Sequence, residues 1–128
     1  MQLNGLAAAG ASTLDRAPFV KAVKTAQNQD GSWSQTTSIA GDAYATGEAL
    51  YTLHVSGDVP TKDPVYEKGV QWLLRNQLSD GSWFVPARTI PIQPYFESGF
   101  PHGTHQWISD AASSWSSMAL LFTLPDSR

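Results

Sequence analysis

Two histidines lie three residues apart in the second half of the chain, at His102 and His105, and a carboxylate follows at Asp110. Imidazole nitrogen and carboxylate oxygen are ordinary zinc ligands, so this group could hold a metal ion. Outside a defined helix the spacing is a weak signal, and histidines that form hydrogen bonds are the favoured interpretation. A histidine paired with Glu97 or Asp110 could instead move a proton, but the sequence offers no nucleophile beside it. We therefore expect no catalytic residue, no metal and no cofactor.

The histidines belong to an aromatic and proline-rich loop at 84–108. The corresponding connection in the first half of the chain has about seven residues, 34–40. A loop this long within a compact repeat is usually functional, and its aromatic residues argue against disorder. It runs into the start of a predicted helix, where unpaired N–H groups can hold polar ligand atoms. The loop is thus either a small-molecule site or a plug, and both alternatives stay open. The candidate ligand-binding residues are Tyr95, Phe96, His102, His105, Trp107, Asp110 and Trp115.

Composition restricts the class of protein. The 128 residues are 41% hydrophobic and 15% charged, as expected of one globular domain. The net charge is −3 and no basic run occurs, so nucleic acid is not an expected partner. Cysteine is absent, which excludes disulfides and leaves the compartment undetermined. The lack of an 18-residue apolar stretch predicts that the chain does not span a membrane.

A short motif occurs twice, as QNQDGSW at 27–33 and QLSDGSW at 77–83. The two copies are 50 residues apart, which is typical of a repeat architecture. A glutamine at a helix end can satisfy open backbone groups, Asp-Gly forms a turn, and a tryptophan then covers the helix it has just left. We interpret Gln27, Trp33, Gln77 and Trp83 as structural rather than catalytic.

Hydrophobic periodicity predicts helices only. Outer helices are expected near 16–28 and 63–77, and inner helices near 1–10, 41–56 and 109–124. The helix near 1–10 is included because a shift of 47 residues aligns Leu3 and Leu6 with Leu50 and Leu53 of the next inner helix. Asp42 and Asp63 are predicted to cap the helices that follow them. The prediction is a single all-α domain of two repeats, about 16–56 and 63–124.

The stretch KGVQWLLRNQLSDGSW at 68–83 resembles the QW motif of squalene–hopene cyclases and oxidosqualene cyclases. The first copy is weaker, because Pro18 stands where the motif has a basic residue. The resemblance implies the α/α toroid of terpenoid cyclases and protein prenyltransferases, in which inner helices surround a cavity. A complete ring needs about six helical hairpins, so we expect this chain to be part of a larger toroid. The matching residues are Lys68, Gly69, Trp72, Gln77, Gly81 and Trp83, with Gln27, Gly31 and Trp33 in the first copy.

The chemistry of that family is not visible in the chain. Its cyclases protonate a polyene with an Asp-x-Asp-Asp motif, and its prenyltransferases use zinc held by Asp, Cys and His; neither set occurs here. The resemblance therefore implies a helical scaffold that forms the wall of a cavity for a hydrophobic ligand. The alternative is a portion of a terpenoid-cyclase-like enzyme whose catalytic acid lies outside this chain. Tyr44, Tyr51 and Trp115 lie on predicted inner helices and could face the cavity, although core packing is the favoured interpretation.

The expected partners follow from the fragment interpretation. They are a hydrophobic small molecule and either the remainder of the toroid or a second copy of the chain, bound through inner-helix faces. The apolar residues expected to be exposed on those faces are Leu3, Leu6, Met118, Leu121 and Phe122.

Overall fold

The computed structural model describes residues 2–89 and 95–125. Within these residues the regular structure is helical, apart from one isolated bridge between Trp33 and Asp42. This confirms the all-α prediction. Residues 90–94 of the predicted loop lie outside the described part of the chain. The helices are α1 Gln2–Ala8, α2 Thr13–Thr25, α3 Ala43–Val55, α4 Pro64–Asn76 and α5 Gln106–Leu121, and a 3₁₀ turn, Gly103–His105, precedes α5.

Short polar side chains start three of the helices. Asp42 Oδ1 accepts from the Ala45 N–H at 2.9 Å, and Asp63 Oδ1 accepts from the Val65 N–H at 3.0 Å, as the sequence predicted. Ser12 caps α2 in the same way, so α2 begins earlier than expected. Helix α5 also begins earlier, at Gln106 rather than near 109, because the 3₁₀ turn leads directly into it.

Helix α3 is the centre of the fold and packs against the other helices. On one side Asn4 of α1 donates to Thr52 at 3.1 Å and accepts from Ser56 at 2.6 Å. On another side α5 lies very close: a Cβ added at Gly47 would be 2.6 Å from the Ser116 nitrogen. Helices α2 and α4 also contact α3. The core residues that these contacts bury include Leu50, Leu53, Tyr66, Leu73, Trp83 and Ala112.

Helix α4 approaches α3 through a glycine. A Cβ at Gly69 would lie 2.8 Å from Leu50 Cδ2 and 3.0 Å from the Trp33 ring. One turn earlier on α4, the Tyr66 hydroxyl donates to the Ala119 carbonyl of α5 at 2.7 Å. Burial raises the pKa of Tyr66 to about 12. A fully buried tyrosine thus joins α4 to α5.

The exposure expected of the inner-helix faces is only partly observed. Leu3 is buried, because α1 packs against both α2 and α3, so the prediction that it is exposed was wrong. Leu6 and Met118 are partly buried. Leu121 and Phe122, at the end of α5, are exposed as predicted. None of the helices in the described residues has the length and hydropathy needed to cross a bilayer.

Candidate functional site

The two copies of the motif form turns with the same hydrogen bonds. Gln27 Nε2 donates to the Gly31 carbonyl at 3.0 Å, and Gln77 Nε2 donates to the Gly81 carbonyl at 2.9 Å. In each copy the indole N–H of the tryptophan donates to a carbonyl ten residues earlier, on the helix that precedes the turn. These bonds are Trp33 to Val23 at 2.7 Å and Trp83 to Leu73 at 2.9 Å. The predicted structural role of these residues is therefore consistent with their geometry.

The aspartate and serine of the motif stabilise the turn itself, a role that the sequence analysis did not assign. Asp30 Oδ1 accepts from both the N–H and the hydroxyl of Ser32, and Asp80 Oδ1 accepts from the same two groups of Ser82. The Ser82 bonds hold the pKa of Asp80 below its ordinary value. Partial burial acts to raise the pKa of Asp30, but the Ser32 bonds and the Trp72 indole N–H together lower it below its ordinary value.

Each turn is also attached to the helix that follows it. The Trp33 N–H donates to Thr46 Oγ1 of α3 at 2.9 Å, and the Trp83 N–H donates to Ser113 Oγ of α5 at 3.1 Å. Ser109 adds a second attachment in the second copy, where its hydroxyl bonds with both backbone groups of Val85. The backbone at 82–85, from which the long loop starts, is therefore fixed to α5, the helix that follows the loop.

Between residues 86–89, which follow this backbone, and the first turns of α5 lies a cavity of about 660 Å³. Its aromatic wall is formed by Phe96 and Trp107, whose rings are stacked with centroids 6.3 Å apart. Pocket volumes of about 300–1,000 Å³ are usual for small-molecule sites. The described residues that line the cavity are Gln35, Pro86, Ala87, Arg88, Thr89, Tyr95, Phe96, Thr104, Trp107, Ile108 and Ala111.

Three of the seven candidate ligand-binding residues line this cavity: Tyr95, Phe96 and Trp107. The other four lie outside it. Asp110 is exposed on α5, and Trp115 packs edge-on against Tyr51 with ring centroids 5.1 Å apart. The two histidines form hydrogen bonds with residues before and at the start of the loop.

His102 and His105 stabilise the loop through different partners. His102 Nε2 lies 2.8 Å from Ser82 Oγ, and His105 Nδ1 accepts from the Ala87 N–H at 2.9 Å. Phe84 contacts both imidazoles edge-on, with centroid distances of 5.4 and 5.3 Å. No group of three histidine, aspartate or glutamate side chains able to hold a metal occurs in 2–89 and 95–125. These contacts correspond to the hydrogen-bonding interpretation of the pair.

Gln106 holds the aromatic wall in place, and the sequence analysis missed it. The side chain is fully buried although it is the first residue of α5. Its Oε1 accepts from the Ser98 N–H at 2.6 Å and from the Ser98 hydroxyl, and its Nε2 donates to the Gly103 carbonyl at 2.9 Å and to the Tyr95 hydroxyl. A glutamine at a helix start directly after a histidine pair was the available signal, but only the folded loop shows its partners.

The Tyr95 hydroxyl extends this network by donating to Glu97. That hydrogen bond raises the pKa of Tyr95 and lowers the pKa of Glu97, because it favours neutral phenol beside ionised carboxylate. Residues 95–98 are thereby held against the N-terminus of α5. The network positions the cavity wall.

Gln35 and Arg88 form much of the polar part of the cavity, and both bind Asp42, a contact that the sequence analysis did not predict. Arg88 Nη1 lies 3.2 Å from Asp42 Oδ2, and Gln35 Nε2 donates to the same oxygen at 2.6 Å. Asp42 is buried and also caps α3. The long loop is thus joined to α3 by an ion pair, and the charge of Arg88 is balanced by its partner.

Residues 2–89 and 95–125 therefore form an all-α structure with two equivalent turns and a cavity that has an aromatic wall. No family model matches the chain, and no solved structure matches it. The lanosterol synthase of Saccharomyces cerevisiae is 27% identical over 103 residues, which cover 80% of this chain and 13% of the synthase. A terpene cyclase–glycosyl transferase fusion protein of Humicola fuscoatra is 31% identical over 84 residues, 59% of this chain and 6% of that protein. The chain spans a small part of the length of both relatives, and the similarity is a distant one to terpenoid cyclases.

Proposed function

We propose that this chain is a two-repeat segment of a terpenoid-cyclase-like α/α toroid that serves as a helical scaffold and binds a hydrophobic small molecule. The repeats are those expected at about 16–56 and 63–124, with α1, α3 and α5 as inner helices and α2 and α4 as outer helices. The observation that carries the binding function is the cavity walled by Phe96 and Trp107. The duplicated turn and the distant similarity to terpenoid cyclases support the scaffold.

The lining indicates the kind of ligand. Aromatic and aliphatic side chains form one part of the cavity, and Gln35, Arg88, Thr89 and Thr104 add polar atoms. Because Arg88 is paired with Asp42, the polar part carries little net charge. A neutral oxygen of the ligand, such as a hydroxyl, therefore suits this end better than a multiply charged group does. The proposed ligand is an apolar chain with a hydroxyl end.

The test is binding of farnesol to the full chain by equilibrium dialysis. We expect saturable binding, and Trp107→Ala should weaken it at least about tenfold because one wall of the cavity is removed. Leu14→Ala is the control, since Leu14 is an exposed apolar residue of α2 and does not line the cavity. Absence of binding, or equal weakening by both substitutions, would contradict the proposed binding function.

A portion of an enzyme is the second candidate. It is favoured by the names of the two relatives, which describe a synthase and a cyclase, and by the small share of each that the chain covers. In this case the chain supplies part of the wall of an active site, and the acid that starts the reaction lies elsewhere in the parent protein. The parent's flanking sequence tests this candidate: an Asp-x-Asp-Asp motif together with further copies of the turn would support it, and their absence would exclude this route.

A further inference from the structure

One hydrogen bond joins the two walls of the cavity. Residues 86–89 form one wall, and the first turns of α5, with Trp107, form the other. The Ala87 N–H donates to His105 Nδ1 at 2.9 Å, and His105 is the residue directly before α5. In the described part of the chain this is the only backbone hydrogen bond of residues 86–89. The position of this wall therefore depends on His105.

The same bond fixes the protonation state of His105. A backbone N–H can only donate, so Nδ1 of the imidazole is the acceptor and carries no proton. The ring is therefore neutral, with its proton on Nε2. A second proton would go to Nδ1, the atom that the Ala87 N–H needs. The bond thus forms with the neutral imidazole and is lost when the ring becomes a cation.

The other two histidines bond through a ring nitrogen that carries a proton. His54 Nδ1 lies 2.8 Å from a backbone carbonyl, which can only accept. His102 Nε2 lies 2.8 Å from Ser82 Oγ, whose own proton is donated to Asp80 at 2.6 Å, so His102 is the donor. Protonation of either ring leaves its hydrogen bond in place. Of the three histidines in the chain, His105 alone loses its bond.

The surroundings of His105 give its protonated form no partner in the described part of the chain. None of the ion pairs within residues 2–89 and 95–125 includes it. It lies at the N-terminus of α5, where the helix dipole disfavours a positive charge. Phe84 lies between its ring and that of His102, and Asp110 is five residues further along, which is not the spacing of neighbours on a helix. The other charged groups on the elements around it have their own partners: Asp80 with Ser82, Arg88 with Asp42 and Glu97 with Tyr95.

We propose that His105 is a positioning residue of the cavity that acts in its neutral form, so that acid weakens ligand binding. This inference rests on the proposed binding function and adds its regulation by pH. Histidine side chains gain their proton between about pH 8 and pH 5. At the upper end of this range Nδ1 holds Ala87 and, with it, the wall at 86–89. At the lower end the Ala87 N–H has lost its acceptor, so the wall is no longer fixed to the start of α5 and the affinity for the ligand falls.

NMR measurements on the full chain without ligand test the bond itself. At about pH 7.5 the imidazole nitrogen spectrum should show an unprotonated Nδ1 and a protonated Nε2 for His105. Hydrogen exchange of the Ala87 amide is then compared at about pH 7.5 and about pH 5.5, each rate being divided by that of an unstructured amide at the same pH. The protection of this amide should fall at least about fivefold at the lower pH, the effect of one lost hydrogen bond.

Two substitutions separate the titration of His105 from its shape. His105→Asn places an amide oxygen near the position of Nδ1 but does not titrate, whereas His102→Gln keeps an N–H donor for Ser82. Farnesol binding by equilibrium dialysis should weaken at least about fivefold from about pH 7.5 to about pH 5.5 in the parent and in His102→Gln. In His105→Asn the affinities at the two pH values should differ by less than about twofold.

The possible results are distinct. An Ala87 amide whose protection does not change with pH would overturn the inference. So would a His105→Asn chain whose Ala87 amide and farnesol affinity respond to pH as the parent's do. If farnesol binds at neither pH, the proposed binding function fails, and the Ala87 amide still decides whether His105 fixes the wall in its neutral form.

Discussion

At the scale of single residues, the repeated tryptophan is the clearest determinant of the fold. Trp83 is 1% exposed, and its ring N–H is bonded to α4 while its backbone N–H is bonded to α5. The ring itself is buried in the core and bonded to α4, so a smaller side chain would leave a cavity there and lose this hydrogen bond. Trp107 is different: it is 53% exposed and lines the cavity. The first residue serves stability and the second serves the proposed binding.

Trp83→Ala should therefore lower the free energy of unfolding by about 3–5 kcal/mol, the usual cost of truncating a buried large aromatic side chain. Trp107→Ala, a truncation of the same size at an exposed position, should cost less than about 1 kcal/mol. Urea denaturation followed by circular dichroism measures both. If Trp83→Ala were as stable as the parent, the ring would not be packed as described.

At the scale of helices, an ion pair joins α2 to α4. Lys24 Nζ lies 2.6 Å from Asp63 Oδ2, and the other oxygen of Asp63 caps α4. Burial alone would raise the pKa of Asp63, but the hydrogen bond and charge of Lys24, together with the Val65 and Tyr66 N–H groups, hold it below its ordinary value of 3.8. One carboxylate thus links the start of α4 to the end of α2.

This lowered pKa predicts how stability depends on pH. A carboxyl whose pKa is lower in the folded chain stabilises it above the unfolded pKa, and this contribution is lost as the pH falls through the folded pKa. We expect the free energy of unfolding to decrease between about pH 5 and pH 2, and to decrease less steeply in Asp63→Asn. Asp110→Asn, at an exposed position of α5, is the control. Equal slopes for all three proteins would show that Asp63 is not held by its partners in solution.

At the scale of the whole molecule, apolar surface remains at the end of α5. Leu121 is 61% exposed, and Phe122 and Leu124 beside it are also exposed. Phe122 is positioned by contacts with the His54 and Tyr51 rings, at 4.6 and 5.9 Å between centroids. Neighbouring exposed apolar residues of this kind favour association.

We expect the chain to self-associate through this end of α5 or to bind a hydrophobic dye there. Leu121→Ser should reduce both, because it removes the most exposed of these side chains on the helix. Leu14→Ser is the control: Leu14 is even more exposed but lies on α2, outside this group. Sedimentation velocity and dye fluorescence measure the effect, and a parent chain that stays monomeric and binds no dye would contradict the prediction.

The sequence by itself determined the helical class, the helix positions to within a few residues, the caps at Asp42 and Asp63 and the position of the two repeated turns. These features depend on residues that are close along the chain: periodicity, capping and Asp-Gly turns act within one or two turns of backbone. The sequence also indicated three residues that line the cavity, because aromatic residues cluster in and just after the loop that leads into α5. They are Tyr95, Phe96 and Trp107.

Only the tertiary structure decided how the loop is held and which surfaces are covered. Arg88 pairs with Asp42, which lies 46 residues earlier in the chain, and His102 bonds with Ser82, 20 residues earlier. The buried Gln106 bonds with Ser98 in a loop whose path no local rule specifies. The burial of Leu3 and the contrast between the buried Gly31 and the exposed Gly81 likewise depend on which helix packs above them. A hydrogen bond or a packed side chain needs two partners in place, and partners distant in sequence are brought together only when the helices between them have docked.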